Sequence, residues 1–391
     1  MLQCHGMQTA EVAIIGGGIV GSSIAWHLSE AGLTDVLVLE RESSQGKGST
    51  GKSMGGVRAQ FTTPVNIQMS LYSIPFYRDF DERLGHPAGY RPQGYLFAAT
   101  DERHVAYLQK NQALQRSLGL TQVRWITRTD IESIVPQLRT DDVLGGSFCP
   151  TDGFVDPYSA MNGFMECAKE RGVRLLKSCE LTSIQSSTAS YTLRTTKGDI
   201  SARVVVDAAG AWSAQIAALL GYELPVKPMR RMLIPTEPFD DVSHEIPMVI
   251  DMSNGFHFRP EAAGFLLAWN DPDEGYSFNT DFDPNFIERV LTRAADRVPV
   301  FENLAVNPKR CWAGLYEMSP DHHGILGAVD EHPNFYIASG FSGHGVMHAP
   351  SSGKIISDLI TRGVTDIVSD ASVLNPRRFQ TGELLHESAL L

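Results

Sequence analysis

The chain has 391 residues, 42% hydrophobic and 20% charged, with a formal net charge of −12. That length exceeds what one hydrophobic core serves and predicts two domains, and the acidic balance excludes a nucleic-acid binder, which needs a basic face. No run approaches the roughly 18 apolar residues of a membrane span.

The first predicted element is the strand Val12-Ala13-Ile14-Ile15, which enters the turn Gly16-Gly17-Gly18-Ile19-Val20-Gly21 and leaves it in an alanine-containing helix. A second apolar strand, Val36-Leu37-Val38-Leu39, ends on Glu40, 24 residues after Gly16. Together these form a dinucleotide-binding βαβ unit. Gly16 permits the tight turn, Gly18 admits a pyrophosphate to the backbone, and Gly21 lets helix and strand pack closely. The helix N-terminus offers free N–H groups to the phosphates. A carboxylate at Glu40 accepts ribose hydroxyls and repels a 2′-phosphate, so the ligand is FAD or NAD rather than NADP.

Next comes a Gly/Ser-rich stretch, 43–56, read as a phosphate-facing loop. Helices are expected at 65–84 and 102–119, a strand at 91–99, and capping-box chemistry at Thr129-Asp130-Ile131-Glu132. A helix at 157–171 leads into a strand at 173–176, followed by strands at 180–185, 191–196 and 203–207. The last of these runs into Asp207-Ala208-Ala209-Gly210-Ala211-Trp212-Ser213 and a helix through Leu220. Short strands within 225–279 predict an antiparallel sheet, and 285–297 reads as a helix. A strand at 335–338, the turn Gly340-Phe341-Ser342-Gly343-His344-Gly345 and a helix from about Ser351 form a second glycine-rich crossing.

The five cysteines, Cys4, Cys149, Cys167, Cys179 and Cys311, are odd in number and contain no CxxC, as expected of reduced thiols. No disulfide is expected, and the His322-His323 pair lacks metal-site spacing. No Lys or Arg precedes the first apolar segment, which predicts a chain without a signal peptide that stays in the cytoplasm.

The βαβ start, the Asp207–Ser213 run and the Gly340–Gly345 turn together resemble the D-amino-acid oxidase superfamily of FAD flavoproteins. Within it the chain is most similar to the branch holding sarcosine oxidase, the β subunits of sarcosine oxidase and proline dehydrogenase, and the mitochondrial FAD-dependent oxidoreductase domain-containing proteins. The segments 53–61 and 209–219 carry the likeness to the last group. The resemblance implies an α/β fold: a glutathione-reductase-type Rossmann domain for FAD (1–85, 150–222 and 322–391) interleaved with an antiparallel-sheet substrate domain (86–149 and 223–321).

The resemblance also assigns residues. Glu40 would hold the adenosine ribose, Ser49, Thr50 and Ser53 would lie along the pyrophosphate, and Gly343 and Gly345 would approach the flavin. Arg41, Gly56, Gly210 and Met347 complete the expected cofactor positions. Arg58 matches the arginine that binds the substrate carboxylate in sarcosine oxidase, although a structural ion pair is the ordinary fate of a single arginine. Tyr316 matches an active-site tyrosine and could equally be a core aromatic. His344 is a catalytic candidate or a loop histidine.

Three positions depart from sarcosine oxidase. Gly314 stands where that enzyme links its flavin through cysteine, with Cys311 three residues too early, so FAD is expected to be non-covalent. Leu266 replaces the lysine that activates oxygen, which favours a quinone or other electron carrier over oxygen. Met347 replaces a second carboxylate-binding lysine. The implied reaction is oxidation of the C–N bond of an amino acid or N-methyl amino acid, with hydride passing to flavin N5 and the imine hydrolysing. The alternatives are an assembly factor with little catalysis and an FAD dehydrogenase of a hydroxy acid.

Overall fold

The computed structural model describes residues 7–387; Cys4 lies outside them. Strand β1 (Gln8–Ile15), helix α1 (Ile19–Glu30) and strand β2 (Val36–Leu39) form the expected unit. β1 pairs in parallel with β2 on one side and with Gly198–Asp207 on the other. Arg174–Leu176 extends the sheet beyond β2, and His332–Ser339 then Ile325–Val329 extend it beyond Gly198–Asp207. The inner strands read as near-continuous apolar runs because both faces are covered. Val12, Ile14, Ile24, Trp26, Phe76 and Phe164 fill one side, and Ala13, Leu37, Val205 and Ile337 the other.

The second sheet draws its eight strands from residues 95–149 and 227–318. It is antiparallel except where Met248–Asp251 runs parallel to Tyr95–Ala99. Its core of Phe256, Phe258, Phe265 and Phe301 is closed by the helix Asn285–Arg297 through Phe286 and Val290. That helix ends on Arg297, a buried guanidinium held 2.7 Å from both Asp142 and Asp251.

Three local expectations shift. The helix expected at 65–84 is two helices, Pro64–Arg78 and Phe80–Leu84, separated at Asp79, whose ψ of 9° leaves the helical region. The capping box sits two residues earlier than read: Thr127 is the cap, and the Asp130 carboxylate accepts from its N–H at 2.8 Å and its hydroxyl at 2.7 Å.

The last long helix begins at Gly345, not near Ser351, and carries Pro350 inside it. Proline there cannot donate to the Val346 carbonyl four residues back. The Tyr77 hydroxyl donates to that oxygen instead, at 2.6 Å. A long-range bond thus satisfies an acceptor that the local sequence leaves open.

Candidate active site

A cleft with a volume of about 420 Å³ runs from the glycine turn of the first sheet to one face of the second. Gly18, Ile19 and Val20, the cap and first residues of α1, line one stretch of it, and Gly345 and Val346 at the start of the other long helix line the far stretch. Two helix N-termini therefore point their positive ends along one channel.

The glycine turn is fixed by close approach. Gly16 has φ +109°, and a Cβ there would lie 2.3 Å from the Ala208 carbonyl oxygen; one on Gly21 would lie 2.0 Å from the Gly16 oxygen. Glu40 accepts from the Gly17 N–H at 3.1 Å and from the Glu42 N–H at 2.8 Å. Each of its oxygens keeps acceptor capacity beyond these bonds, and the residue lines the cleft. Burial raises its pKa above the usual carboxylate value. Thr50 accepts from the Ile19 N–H at 3.0 Å, and the Ser49 hydroxyl donates to the Leu315 carbonyl at 2.7 Å. The loop after β2 is thus tied both to α1 and to the second sheet. Arg41 stacks over the Trp212 ring at 4.5 Å.

Ser53, Gly210, Gly343 and Tyr316 also line the cleft. Gly343, at φ +97°, sits so close to Tyr316 that a Cβ would come within 2.4 Å of the ring. Five of the sequence-assigned residues stand elsewhere. Gly21 lies behind the turn. Gly56 faces the Tyr95 hydroxyl, 1.9 Å from where its Cβ would be. Met347 is buried in the core beside α1.

Arg58 is 1% exposed and lies behind the wall, donating to the Gln60 carbonyl at 2.6 Å with its guanidinium 4.0 Å from the Phe61 ring. His344 packs edge-on to the same ring at 4.9 Å. Burial first, then the Arg58 charge, holds its pKa well below the ordinary value, so it is neutral at pH 7.

The sequence model of the family described as "FAD dependent oxidoreductase", DAO, matches residues 11–359. The chain belongs to the DAO family. Among curated relatives it is 32% identical to FAD-dependent oxidoreductase domain-containing protein 1 of Xenopus laevis, covering 97% of this chain and 84% of that one. It is 28% identical to human mitochondrial dimethylglycine dehydrogenase, over 95% of this chain but 44% of that longer protein. Among solved structures, L-proline dehydrogenase from P. horikoshii superposes with a TM-score of 0.90 at 31% identity, over 97% of this chain and 100% of that one. Glycine oxidase from Geobacillus kaustophilus gives 0.84 at 25%, over 95% and 99%.

FAD is the cofactor of this DAO-family protein. The cleft fits it: a bare Gly18 backbone under the α1 N-terminus, a ribose acceptor at Glu40, and a channel continuing to a second helix start. Cys311 lies outside the lining, and Gly314 within it offers no thiol.

Arg231 and Glu317 in this DAO-family site carried no assignment from the sequence, and His257, which the sequence offered as a protonated cation near the flavin, is neutral. Arg231 lines the cleft, 5.3 Å from the Tyr316 ring. The Arg230-Arg231 doublet was the available signal, since neighbours on a strand face opposite sides; Arg230 pairs outward with Glu274 at 2.9 Å. His257 also lines the cleft, and burial lowers its pKa to about 4, so it too is neutral at pH 7. Glu317, whose pKa burial raises to about 7, lines the cleft beside Gly210. Leu266, which the sequence reading set at the place of an oxygen-activating lysine, is enclosed with Leu233 and Ala268.

Asp207, at the end of the central strand, is fully buried. Its Oδ1 accepts from the Ala209 N–H at 3.0 Å and the Ser213 hydroxyl at 2.9 Å, while Oδ2 has no partner among the described residues. Burial raises its pKa from 3.8 to about 7. A folded-state pKa above the unfolded one stabilises the protein fully below pH 3.8, and that stability is lost as pH rises through 7. The thermal midpoint should therefore fall between pH 5 and pH 8, and Asp207→Asn should flatten the fall; scans of both proteins at the two pH values check this.

Proposed function

We propose that this protein oxidises the C–N bond of an α-amino acid or N-methyl amino acid, passing the electrons on to an acceptor other than oxygen. The observation that carries this reading is the far end of the cleft. There a cationic wall residue, Arg231, and a second arginine behind it, Arg58, surround Tyr316 and the neutral His257. Such a site attracts a carboxylate and needs no side-chain nucleophile. Dimethylglycine dehydrogenase and L-proline dehydrogenase among its relatives support both the substrate class and a dehydrogenase.

Bound FAD supplies a two-electron acceptor. The protein's part is to bind, orient and exclude water. Glu40 would hold the ribose, the Thr50 hydroxyl and α1 N–H groups the pyrophosphate, and the start of the helix Gly345–Arg362 the ring end. Tyr316, whose pKa burial raises, stays a neutral phenol able to donate to a substrate oxygen. His257 stays uncharged and adds no proton to the substrate amine.

The test is anaerobic mixing of the yellow holoprotein with secondary and primary amino acids, hydroxy acids and amines without a carboxylate, followed by air or a dye acceptor. Bleaching by one or more amino acids, with reoxidation faster by dye than by air, is the expected result. Bleaching by hydroxy acids alone, or by nothing in the panel, would overturn the reading. FAD should leave on acid precipitation. Glu40→Ala should weaken FAD retention, since each lost charge-assisted bond is worth about 1.5–3 kcal/mol; the FAD dissociation constant by fluorescence checks it.

A further inference from the structure

Glu317, near the end of the strand Trp312–Met318, has its carboxyl group between two glycines of the cleft. A Cβ on Gly210, which has φ +58°, would lie 2.8 Å from its Oε2, and one on Gly345 would lie 3.7 Å from its Oε1. Gly210 follows the Ala208 carbonyl that touches Gly16, and Gly345 opens the helix Gly345–Arg362. The carboxyl therefore stands between the two helix starts that the channel joins. Its backbone is fixed there, since its carbonyl accepts from the Ser342 N–H at 3.0 Å.

Little keeps this acid charged. Among the described residues no cation pairs with it, and its one backbone donor is the Phe341 N–H, at a long 3.5 Å. The Ser339 hydroxyl is close but donates to the Gly210 carbonyl at 3.1 Å. From the central strand it faces Asp207, a group of like sign whose Oδ2 has no partner. The helix start carries His344 and His348, both kept neutral by burial. Burial, then the Asp207 charge, raises the pKa of Glu317 to about 7. The pyrophosphate of FAD brings further negative charge into the same channel, whereas a protonated carboxyl has an O–H to donate.

We propose that Glu317 is a cofactor ligand that works as a carboxylic acid, donating its O–H to an acceptor oxygen in the middle of FAD, so that loading the cofactor at alkaline pH takes one proton from solvent onto the carboxylate. The inference needs FAD in the cleft and is independent of the substrate. Its sign is definite: affinity is full below the pKa of the free acid and falls as pH rises through it. Glu40 acts in the opposite sense, because it accepts ribose hydroxyls as a carboxylate and would hold FAD more tightly as it ionises. Free FAD does not itself titrate between pH 6 and pH 8.5.

The experiment dilutes holoprotein at pH 6 and at pH 8.5, well below the thermal midpoint at each, and reads released FAD by its fluorescence to obtain the dissociation constant. Wild type, Glu317→Gln, Glu317→Leu and Asp207→Asn are compared. Wild type should lose affinity by about tenfold or more between the two pH values, as for an acid of pKa about 7 that must be protonated to bind. Glu317→Gln, which keeps a neutral donor, should hold FAD equally at both. Glu317→Leu should also be flat but about three- to tenfold weaker than Glu317→Gln, the worth of one hydrogen bond. Asp207→Asn should keep the dependence on pH. A flat wild type would overturn the proposal whatever the variants do. So would a slope that survives in Glu317→Gln, equal affinities of Glu317→Gln and Glu317→Leu, or a slope abolished by Asp207→Asn, which would put the proton on Asp207.

Discussion

Gly21→Ala is expected to yield a protein that purifies without flavin. The added Cβ would meet the Gly16 carbonyl oxygen at 2.0 Å, far inside van der Waals contact, so α1 or the turn must move. The turn has nowhere to go. Gly16 is already held at φ +109° against the Ala208 carbonyl, and its N–H donates to Leu39 at 2.8 Å. Overpacking in a well-packed site costs about 1–3 kcal/mol, and here the displaced atoms are the phosphate-facing backbone itself. Gly275→Ala, whose Cβ would meet nothing within 4 Å, should keep full flavin content. The ratio of flavin to protein absorbance decides the matter, and a fully yellow Gly21→Ala protein would show that the turn yields.

Asp321→Ala is expected to cause the largest loss of stability. Arg378 and Asp321 form a two-bond pair, at 2.7 and 3.0 Å, with side chains 2% and 0% exposed. The same guanidinium donates to the carbonyls of Leu374 at 2.7 Å and His323 at 3.1 Å. It thereby ties the C-terminal segment to the chain entering the edge strand Ile325–Val329. Removing the carboxylate leaves a buried charge uncompensated, at a cost of about 3–5 kcal/mol. A drop of several degrees in the thermal midpoint is expected. Asp321→Asn, which keeps an acceptor, should lose less. An unchanged midpoint in Asp321→Ala would mean that water reaches Arg378.

The dinucleotide turn was legible in the sequence because everything that makes it is local. A buried strand, three glycines, a helix and a terminal acid fall within about one βαβ unit, and each is required by geometry at short range. The same holds for the 285–297 helix, where apolar spacing alone fixes the element. The cofactor and the family followed from two such glycine crossings and from the segments around them.

Only the tertiary structure decided which residues of the second sheet face the cleft. Strand residues alternate faces, and which face is inside depends on what packs against it from distant parts of the chain. Arg231, one of an unremarkable pair, thus turned out to lie on the wall, while Arg58, just past the short strand Gly56–Val57 of a separate two-stranded sheet, lies behind it. The helix start at Gly345 was hidden for a similar reason: Pro350 reads locally as a boundary, and the hydroxyl that makes it tolerable comes from Tyr77. Gly56 was read as a phosphate neighbour, but its missing side chain makes room for Tyr95. Local chemistry specified the cofactor's cradle, while the substrate's wall was specified by pairings between strands far apart in sequence, which no local pattern encodes.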